Sequence, residues 1–427
     1  MRFRGGVAFP RELKPFADRP ITGLPEPAEV LVPLYGGPGK PCRRLVERGE
    51  RVEEGAVIGE GDAELAAVHA TVTGTVTRLE TCRLPAGDEW PAVRIRRGES
   101  AAHGQEGTSR APAATLPDLA CQMGILGLGG AAFPLHRKLR LPAGAQVDDV
   151  ILNGAECEPC LSGDYRLLLE RTAEILAGGL RILAHFRAKR LWVGIEQDRE
   201  RAIAAVRRAT GGGRRARVFA LPARYPQGAE KQLVRTVLGR EIPRGVYPWQ
   251  TGVSVHNVGT ALAVSRAMAG QPLLARVVTV AGEAVREPGN YLVKIGASLA
   301  WVLEQVGLKE RPEKLLVGGP MMGFAQADAN VPVTKGTTGI LALTAGEWPQ
   351  PTPCVRCSAC VEACPAGLLP LYLEGYTLKG LFAQAAAHHP GDCIECGACS
   401  YVCPAHRPLV QSIRWAKRES GRRSPVA

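Results

Sequence analysis

Two stretches toward the C-terminal end of the chain share one spacing: CVRCSACVEACP at 354–365 and CIECGACSYVCP at 393–404. Both read C-x2-C-x2-C-x3-C-P. Three thiolates two residues apart can wrap a tight loop around a cube of iron and sulfide, while the fourth points away toward a second cube. In chains with two such runs, the fourth cysteine of each therefore serves the other cluster. The crossing predicts Cys354, Cys357, Cys360 and Cys403 around one [4Fe–4S] cluster, and Cys393, Cys396, Cys399 and Cys364 around the second. Pro365 and Pro404 follow the fourth cysteines and turn the chain away, because proline cannot extend a helix. Two other uses of cysteine compete. A tetrahedral zinc site, often built from two C-x2-C pairs, leaves the third step of each run unexplained. A disulfide framework requires an oxidising compartment. Two [4Fe–4S] clusters make a carrier of single electrons.

The 427 residues allow about three domains as a soft prior. With 45% hydrophobic and 22% charged residues the chain has ordinary material for globular cores. It contains no apolar run long enough to span a bilayer, and MRFRGGVAFP lacks the apolar segment of a signal peptide. The expectation is a cytoplasmic protein, where thiols stay reduced. Eight of the 13 cysteines are in the two runs; Cys42, Cys82, Cys121, Cys157 and Cys160 are expected to be small buried side chains. The net charge of +12 can attract nucleic acid, anionic lipid or an acidic partner. No nucleic-acid module accompanies it and aromatics are only 5%, so nucleic acid is not expected as a partner. The basic cluster Arg414, Lys417, Arg418, Arg422 and Arg423 reads as a solvated face, with an acidic partner or a membrane surface next in order.

Residues 1–100 read as mostly β, with EVLVPL (29–34) and ATVTGTVTRL (70–79) between Gly and Pro turns. ERGERVEEGAVIGEGD (47–62) followed by VHATVTGTV (68–76) looks like a barrel sandwich of the biotinyl/lipoyl type. The place of the carrier lysine is taken by Val68-His69-Ala70, so the module is read as structural and His69 as a turn or interface residue. Residues 98–115 have linker composition. Over 116–270 the apolar runs VILN (150–153), LWVGI (191–195) and RVFAL (217–221) alternate with helical patterns at 163–186, 198–209 and 228–239. That alternation predicts a parallel sheet covered by helices. GILGLGGAAFPLHRKL (124–139) is glycine-rich ahead of a helical segment. Its two readings are a phosphate cradle and a plain tight turn. It is not the dinucleotide fingerprint, since no clear strand precedes it. LNGAECEPCLSGDYRLL (152–168) crowds Asn153, Glu156 and Glu158 at a strand end, where open α/β sheets place ligands; a solvated acidic turn is the alternative. The lone pair Cys157 and Cys160 reads as structural.

Four strings in order, GLGGAAFP, NGAECEP, RYPQGAEKQLV (224–234) and VHNVGTA (255–261), resemble the flavin and NADH domain of two groups. One is the flavoprotein subunit of respiratory NADH dehydrogenase. The other is the RnfC family, a component of bacterial Rnf ion-translocating ferredoxin:NAD oxidoreductase complexes. FRGGVAFPRELKP, the barrel sandwich and the two cysteine runs place the resemblance on the RnfC side, over nearly the whole chain. The resemblance implies a multidomain α/β protein. Its parts would be an N-terminal barrel-sandwich module (1–100), an α/β FMN/NADH-binding domain (116–270), a β-grasp SLBB module (272–345) and a C-terminal α-helical ferredoxin-like domain with two clusters (350–415). RVVTVAGEAVREPGNYLVKIGASLAWVLEQVG (276–307) resembles the SLBB segment, and LLVGGPMMGFA (315–325) adds a strand and a turn.

Carried over by residue, the resemblance puts the FMN phosphate at Gly127, Gly129 and Gly130 with Lys138 behind them. Asn153 would bond the flavin. Tyr225, Gly228 and Glu230 would stand beside flavin and nucleotide. Asn257 and Thr260 would grip the ribityl phosphate. Glu156 and Glu158, the candidate catalytic pair, would line the NADH pocket. Ala132 stands where the family has glycine, adding a Cβ near the phosphate, and Ala155 replaces an acidic residue of the respiratory motif. The implied cofactors are FMN, NAD(H) and two [4Fe–4S] clusters. The implied role is a peripheral electron-transfer subunit on the cytoplasmic face of the inner membrane. Its partners would be membrane subunits that couple electron flow to ion transport, with ferredoxin reached indirectly. Two rivals are a soluble NADH-dependent reductase of the cobalamin-reductase kind and a cluster relay with a dead flavin site. WPQPTP (348–353) breaks the chain before the cluster domain, and 368–390 reads as helix ending in His388 and His389, an exposed pair.

Overall fold

The computed structural model describes residues 3–98, 113–213, 215–346 and 349–423. Most of the 98–115 linker, Trp348, and the side chains of Arg422 and Arg423 lie outside the described residues.

Alternating valine and isoleucine build the first β module. Glu29–Pro33, Glu89–Arg97, Gly74–Arg83 and Arg51–Val52 form an antiparallel sheet in that order. A second sheet of Arg43–Arg44, Val57–Glu60 and Val68–His69 lies with it. Val30, Val32, Ile58, Val76, Val93 and Ile95 fill the space between them. His69 is buried in the last of these strands. Nearby, the ammonium of Lys335 donates to the carbonyls of Ala67 (3.2 Å) and Gly124 (2.6 Å). The hairpin that would carry a swinging arm is thus packed against the rest of the chain, and burial lowers Lys335 to about 8.

Residues 3–23 do not enter that barrel. They run as an arm over the other domains, and Ile21–Gly23 adds a parallel edge strand to five strands from residues 275–343, making a six-stranded sheet. That sheet continues through Gly289–Lys294, Ala275–Ala281, Gly339–Leu343, Lys314–Val317 and Phe324–Gln326. The Leu299–Val306 helix is started by Ser298, whose hydroxyl accepts from Trp301 N (3.1 Å), and covers one face of the sheet.

The central domain is a four-stranded parallel sheet in the order Ala216–Leu221, Arg190–Glu196, Asp149–Gly154, Val253–Asn257. Gly163–Glu170, Thr172–Phe186, Glu200–Thr210 and Val258–Met268 share one core with the sheet. Glu230–Leu238 packs with other faces of the same strands. The 163–186 pattern is two helices, broken at Arg171, where φ is −131°. All four strands run the same way, so Asn153, Glu196 and Asn257 gather at one end of the sheet.

The two cysteine runs fold alike. Ala359–Glu362 and Ala398–Tyr401 are matching short helices. Arg356 and Ser358 in the first loop, and Glu395 and Gly397 in the second, take left-handed backbones at equivalent positions (φ 57°, 64°, 57° and 76°). The stretch between the runs forms two helices, Pro370–Leu378 and Phe382–Ala387, with Gly380 at the break. His388 stacks on Tyr372 and Tyr376. Leu409–Arg423 closes the domain. Among the described residues no helix is long and apolar enough to cross a membrane.

Candidate functional site

The glycine loop follows a short helix, Leu116–Gln122, rather than a strand. Gly127 N closes it by donating to Phe133 O (2.8 Å), and Leu128 N donates to Thr260 Oγ1 (2.9 Å). Beyond that point the backbone is open: the amides of Gly129, Gly130 and Ala131 find no acceptor among the described residues. Gly130 has φ +106°, with free space where a Cβ would stand. Gly129 faces Asn257, which caps the Val258–Met268 helix through Oδ1 accepting from Gly259 N (2.8 Å). Unused amides on a loop beside a helix N-terminus are the donor set an anionic phosphate needs, so these residues fit the phosphate end of FMN. The methyl of Ala132 is turned out of the loop. It is buried with Ala66, Leu126 and Tyr35 and packs toward Gly336.

The strand ends supply the rest. Lys138 and Glu230 pair at 2.6 Å. Asn153 Nδ2 donates to Gly228 O (2.9 Å), and its Oδ1 accepts from Ala155 N (3.0 Å). Glu156 accepts from Asp164 N (3.0 Å) and Tyr165 N (3.1 Å), capping the Gly163–Glu170 helix. Glu158 is partly buried and accepts from Met321 N (2.7 Å) and Met322 N (3.0 Å); desolvation pushes its carboxyl up. Cys157 Sγ accepts from Gly228 N (3.4 Å).

Four further residues carry no sequence motif. Lys14, from the N-terminal arm, donates to Glu156 O. Glu196, at the end of its strand, is pushed to about 7 by burial and the charge of Asp198, against Lys14 and Arg199. Asp164 accepts from Asn257 Nδ2 (2.5 Å) and stands well above the usual carboxylate range, through burial and the charge of Glu156. Arg276 is buried, donates to Leu128 O (3.2 Å) and Lys335 O, and is lowered to about 10 by burial. The bonds of Lys14 to Glu156, Asp164 to Asn257 and Arg276 to Leu128 and Lys335 join residues distant in the chain and leave no local pattern.

In the cluster domain Cys354, Cys357, Cys360 and Cys403 line one hollow with Leu371 and Leu409. Cys364 packs with Cys393 on the other side, beside Cys396 and Cys399. None of the 13 cysteines is paired in a disulfide. Among the described residues no three Cys, His, Asp or Glu converge as around a single ion; a zinc would draw its thiolates to about 4 Å from one another. Two groups of four thiols, each with three from one loop and one from the other, fit two cubes. The loops differ in surroundings. Cys354 and Cys357 are exposed, as is Val355. Cys396 and Cys399 are buried, and Tyr225 OH donates to Cys396 O (2.6 Å). The arm joins this contact: Gly6 N donates to Ala363 O (2.8 Å), and Val7 pairs with Tyr225 through both backbone bonds (2.8 Å each). The basic C-terminal residues are partly turned inward, with Arg414 (2.8 Å) and Lys417 (2.7 Å) both paired to Glu395.

Comparison with known proteins puts this geometry in context. The chain matches, in order, the RnfC barrel sandwich hybrid domain (residues 1–100), the Nuo51 FMN-binding domain (121–266), the SLBB domain (277–325) and the 4Fe-4S dicluster domain (353–407). An NAD+-reducing [NiFe]-hydrogenase, whose H2-reduced crystal structure is known, shares the fold at TM-score 0.50 and 18% identity, over 74% of this chain and 68% of that one. Fold and site therefore define a class: electron-transfer subunits that join an FMN-binding domain to a pair of [4Fe–4S] clusters. The RnfC component of the proton-translocating ferredoxin:NAD(+) oxidoreductase complex of Clostridium ljungdahlii is 40% identical over 98% of this chain and 94% of its own length. Its counterpart in the Na(+)-translocating complex of Acetobacterium woodii is 38% identical, over 98% and 96%. The chain belongs to the RnfC family of the ion-translocating ferredoxin:NAD(+) oxidoreductase complexes.

Proposed function

We propose that the chain is the peripheral electron-transfer subunit of such a complex, passing electrons between NAD(H), FMN and two [4Fe–4S] clusters in a fixed order. The observation that carries the order is the bond from Tyr225 to Cys396. Tyr225 belongs to the segment that also holds Gly228 and Glu230, so the flavin site and the second cysteine loop share a wall. In this reading the cluster held by Cys393, Cys396, Cys399 and Cys364 is next to the flavin, and the one held by Cys354, Cys357, Cys360 and Cys403 is the exit at the surface.

FMN supplies the change from hydride to single electrons. In this reading the chain's own residues hold and orient it. Gly127, Gly129 and Gly130 with the Val258–Met268 helix N-terminus, Asn257 and Thr260 receive the phosphate. Lys138, Asn153, Tyr225, Gly228 and Glu230 surround the ring side. Glu156 shapes the nucleotide pocket through the helix it caps. Glu158 fixes the loop against Met321 and Met322. Ferredoxin is reached through partner subunits, and ion movement belongs to membrane partners at the cytoplasmic face of the inner membrane. The two relatives carry different ions in their names, Na+ and protons, so the ion is read as a property of those partners. The test is an anaerobic NADH titration of the reconstituted protein, following flavin absorbance and the EPR of reduced clusters together. Both are expected to respond. Clusters that dithionite reduces and NADH does not would leave only the relay reading.

A further inference from the structure

Behind the flavin site, the groove between the Gly163–Glu170 and Val258–Met268 helices encloses a cavity of about 220 Å3. Asp164 and Gly259 stand at one end of it, at the helix N-termini. Arg171 and Arg266 stand at the other, each seven residues further along, which is about 10 Å of helix. Leu167, Leu262 and Ala263 make the walls, and Val277 roofs it. The mouth lies at Arg171, which is exposed, and Arg266, which is half-buried; both reach Glu174 (3.7 and 3.3 Å). A space of that volume has room for several waters. None of its lining residues comes from the cluster domain.

Among the described residues, Asp164 is the carboxylic acid of the lining that also touches the flavin site, through Asn257 and beside Glu156. It faces Glu156 from the strand-end loop, Asn257 from the neighbouring helix, Arg276 from the roof strand and Lys14 from the arm. Glu170 lines the cavity further along but is engaged by Arg166 (2.5 Å). Glu196 is buried too but does not line the cavity.

The chemistry requires such a group. Oxidation of NADH is NADH → NAD+ + H+ + 2 e−. Each [4Fe–4S] cluster takes one electron and no proton, so the proton has to leave the site; in the reverse direction it has to arrive. We infer that Asp164 passes this proton between the flavin site and solvent through the cavity, resting on the electron-transfer reading above. Electrons then leave past Tyr225 and the proton leaves between the two helices. Burial and the charge of Glu156 favour the protonated acid, which suits a relay working near neutral pH.

The test is stopped-flow mixing of the reconstituted full chain with NADH, reading cluster reduction by absorbance and proton release by an indicator dye. In the unaltered protein one proton per NADH is expected to appear together with cluster reduction. Asp164→Asn is expected to keep its FMN and its first, flavin-reducing phase, and to slow proton release and cluster reduction at least about tenfold. Added formate is expected to restore both, which a structural defect would not allow. Ala263→Phe, which leaves Asp164 in place and fills the cavity, is expected to slow both without rescue. Proton release unchanged in either variant would overturn the relay alone. An unaltered protein that NADH does not reduce would overturn the electron-transfer reading and the relay with it.

Discussion

The two cysteine loops have one spacing and one backbone path but opposite surroundings. At the third position of the run the first loop carries Arg356, exposed, and the second carries Glu395, held by Arg414 and Lys417. The first loop shows Cys354, Val355 and Cys357 to solvent. The second is sealed by Tyr225, and the Ala363–Cys364 turn beside it by the Gly5–Gly6 arm; a Cβ on Gly397 would stand 2.8 Å from Met321 O. Local sequence builds the loop, whereas distant sequence decides what it faces, and the proposed order of the clusters rests on that difference.

Changes that strike the sealed side should therefore cost more than their mirror images at the surface. The largest expected effect is at Gly6, where φ is +79° and a Cβ would run into Tyr225 O. Gly6→Val should cost about 2–4 kcal/mol, from the left-handed backbone and the clash together, read as a lower unfolding midpoint and faster amide exchange around Tyr225. Next is Glu196. Burial raises its pKa from 4.5 to about 7. A raised acid favours the fold below its unfolded pKa and loses that advantage as pH climbs through the folded value. The difference amounts to about 3 kcal/mol. Glu196→Gln should match the unaltered protein in thermal unfolding at pH 5 and exceed it at pH 8.5.

A direct comparison of the two loops follows. Glu395→Ala frees Arg414 and Lys417 and should cost about 1–2 kcal/mol for a half-buried double ion pair, discounted for partial exposure. Arg356→Ala at the equivalent place should stay within about 0.5 kcal/mol. Equal losses would erase the distinction. Smallest of the changes on the sealed side is Tyr225→Phe, which removes one hydrogen bond to Cys396 O and should cost about 1 kcal/mol while shifting the EPR signal of the second cluster and leaving that of the first unchanged.

The sequence made the loops legible because ligand spacing is local chemistry, and it made the glycine loop legible because a phosphate cradle needs bare backbone. It was silent on the junction. Tyr225 and Cys396 are 171 residues apart, and Lys14 and Glu156 are 142 apart; no periodicity or spacing encodes such pairs. The arm was counted with the barrel because its residues are contiguous with it, yet it packs against Tyr225, Ala363 and the Gly289–Lys294 strand. Ala132 stands where the family has glycine and takes a left-handed backbone (φ +50°), which glycine adopts without strain; its methyl packs toward Gly336.

The central claim is the order of the clusters, and paired ligand variants test it most directly. Cys354→Ala with Cys357→Ala removes the surface cluster; Cys396→Ala with Cys399→Ala removes the sealed one. Each protein is reconstituted, shown by dithionite to keep its remaining cluster, mixed anaerobically with NADH, frozen and examined by EPR. The order argued from Tyr225 requires that NADH still reduces the sealed cluster when the surface one is missing, and no longer reduces the surface cluster when the sealed one is missing. Prompt reduction of the surface cluster in the absence of the sealed one would contradict it.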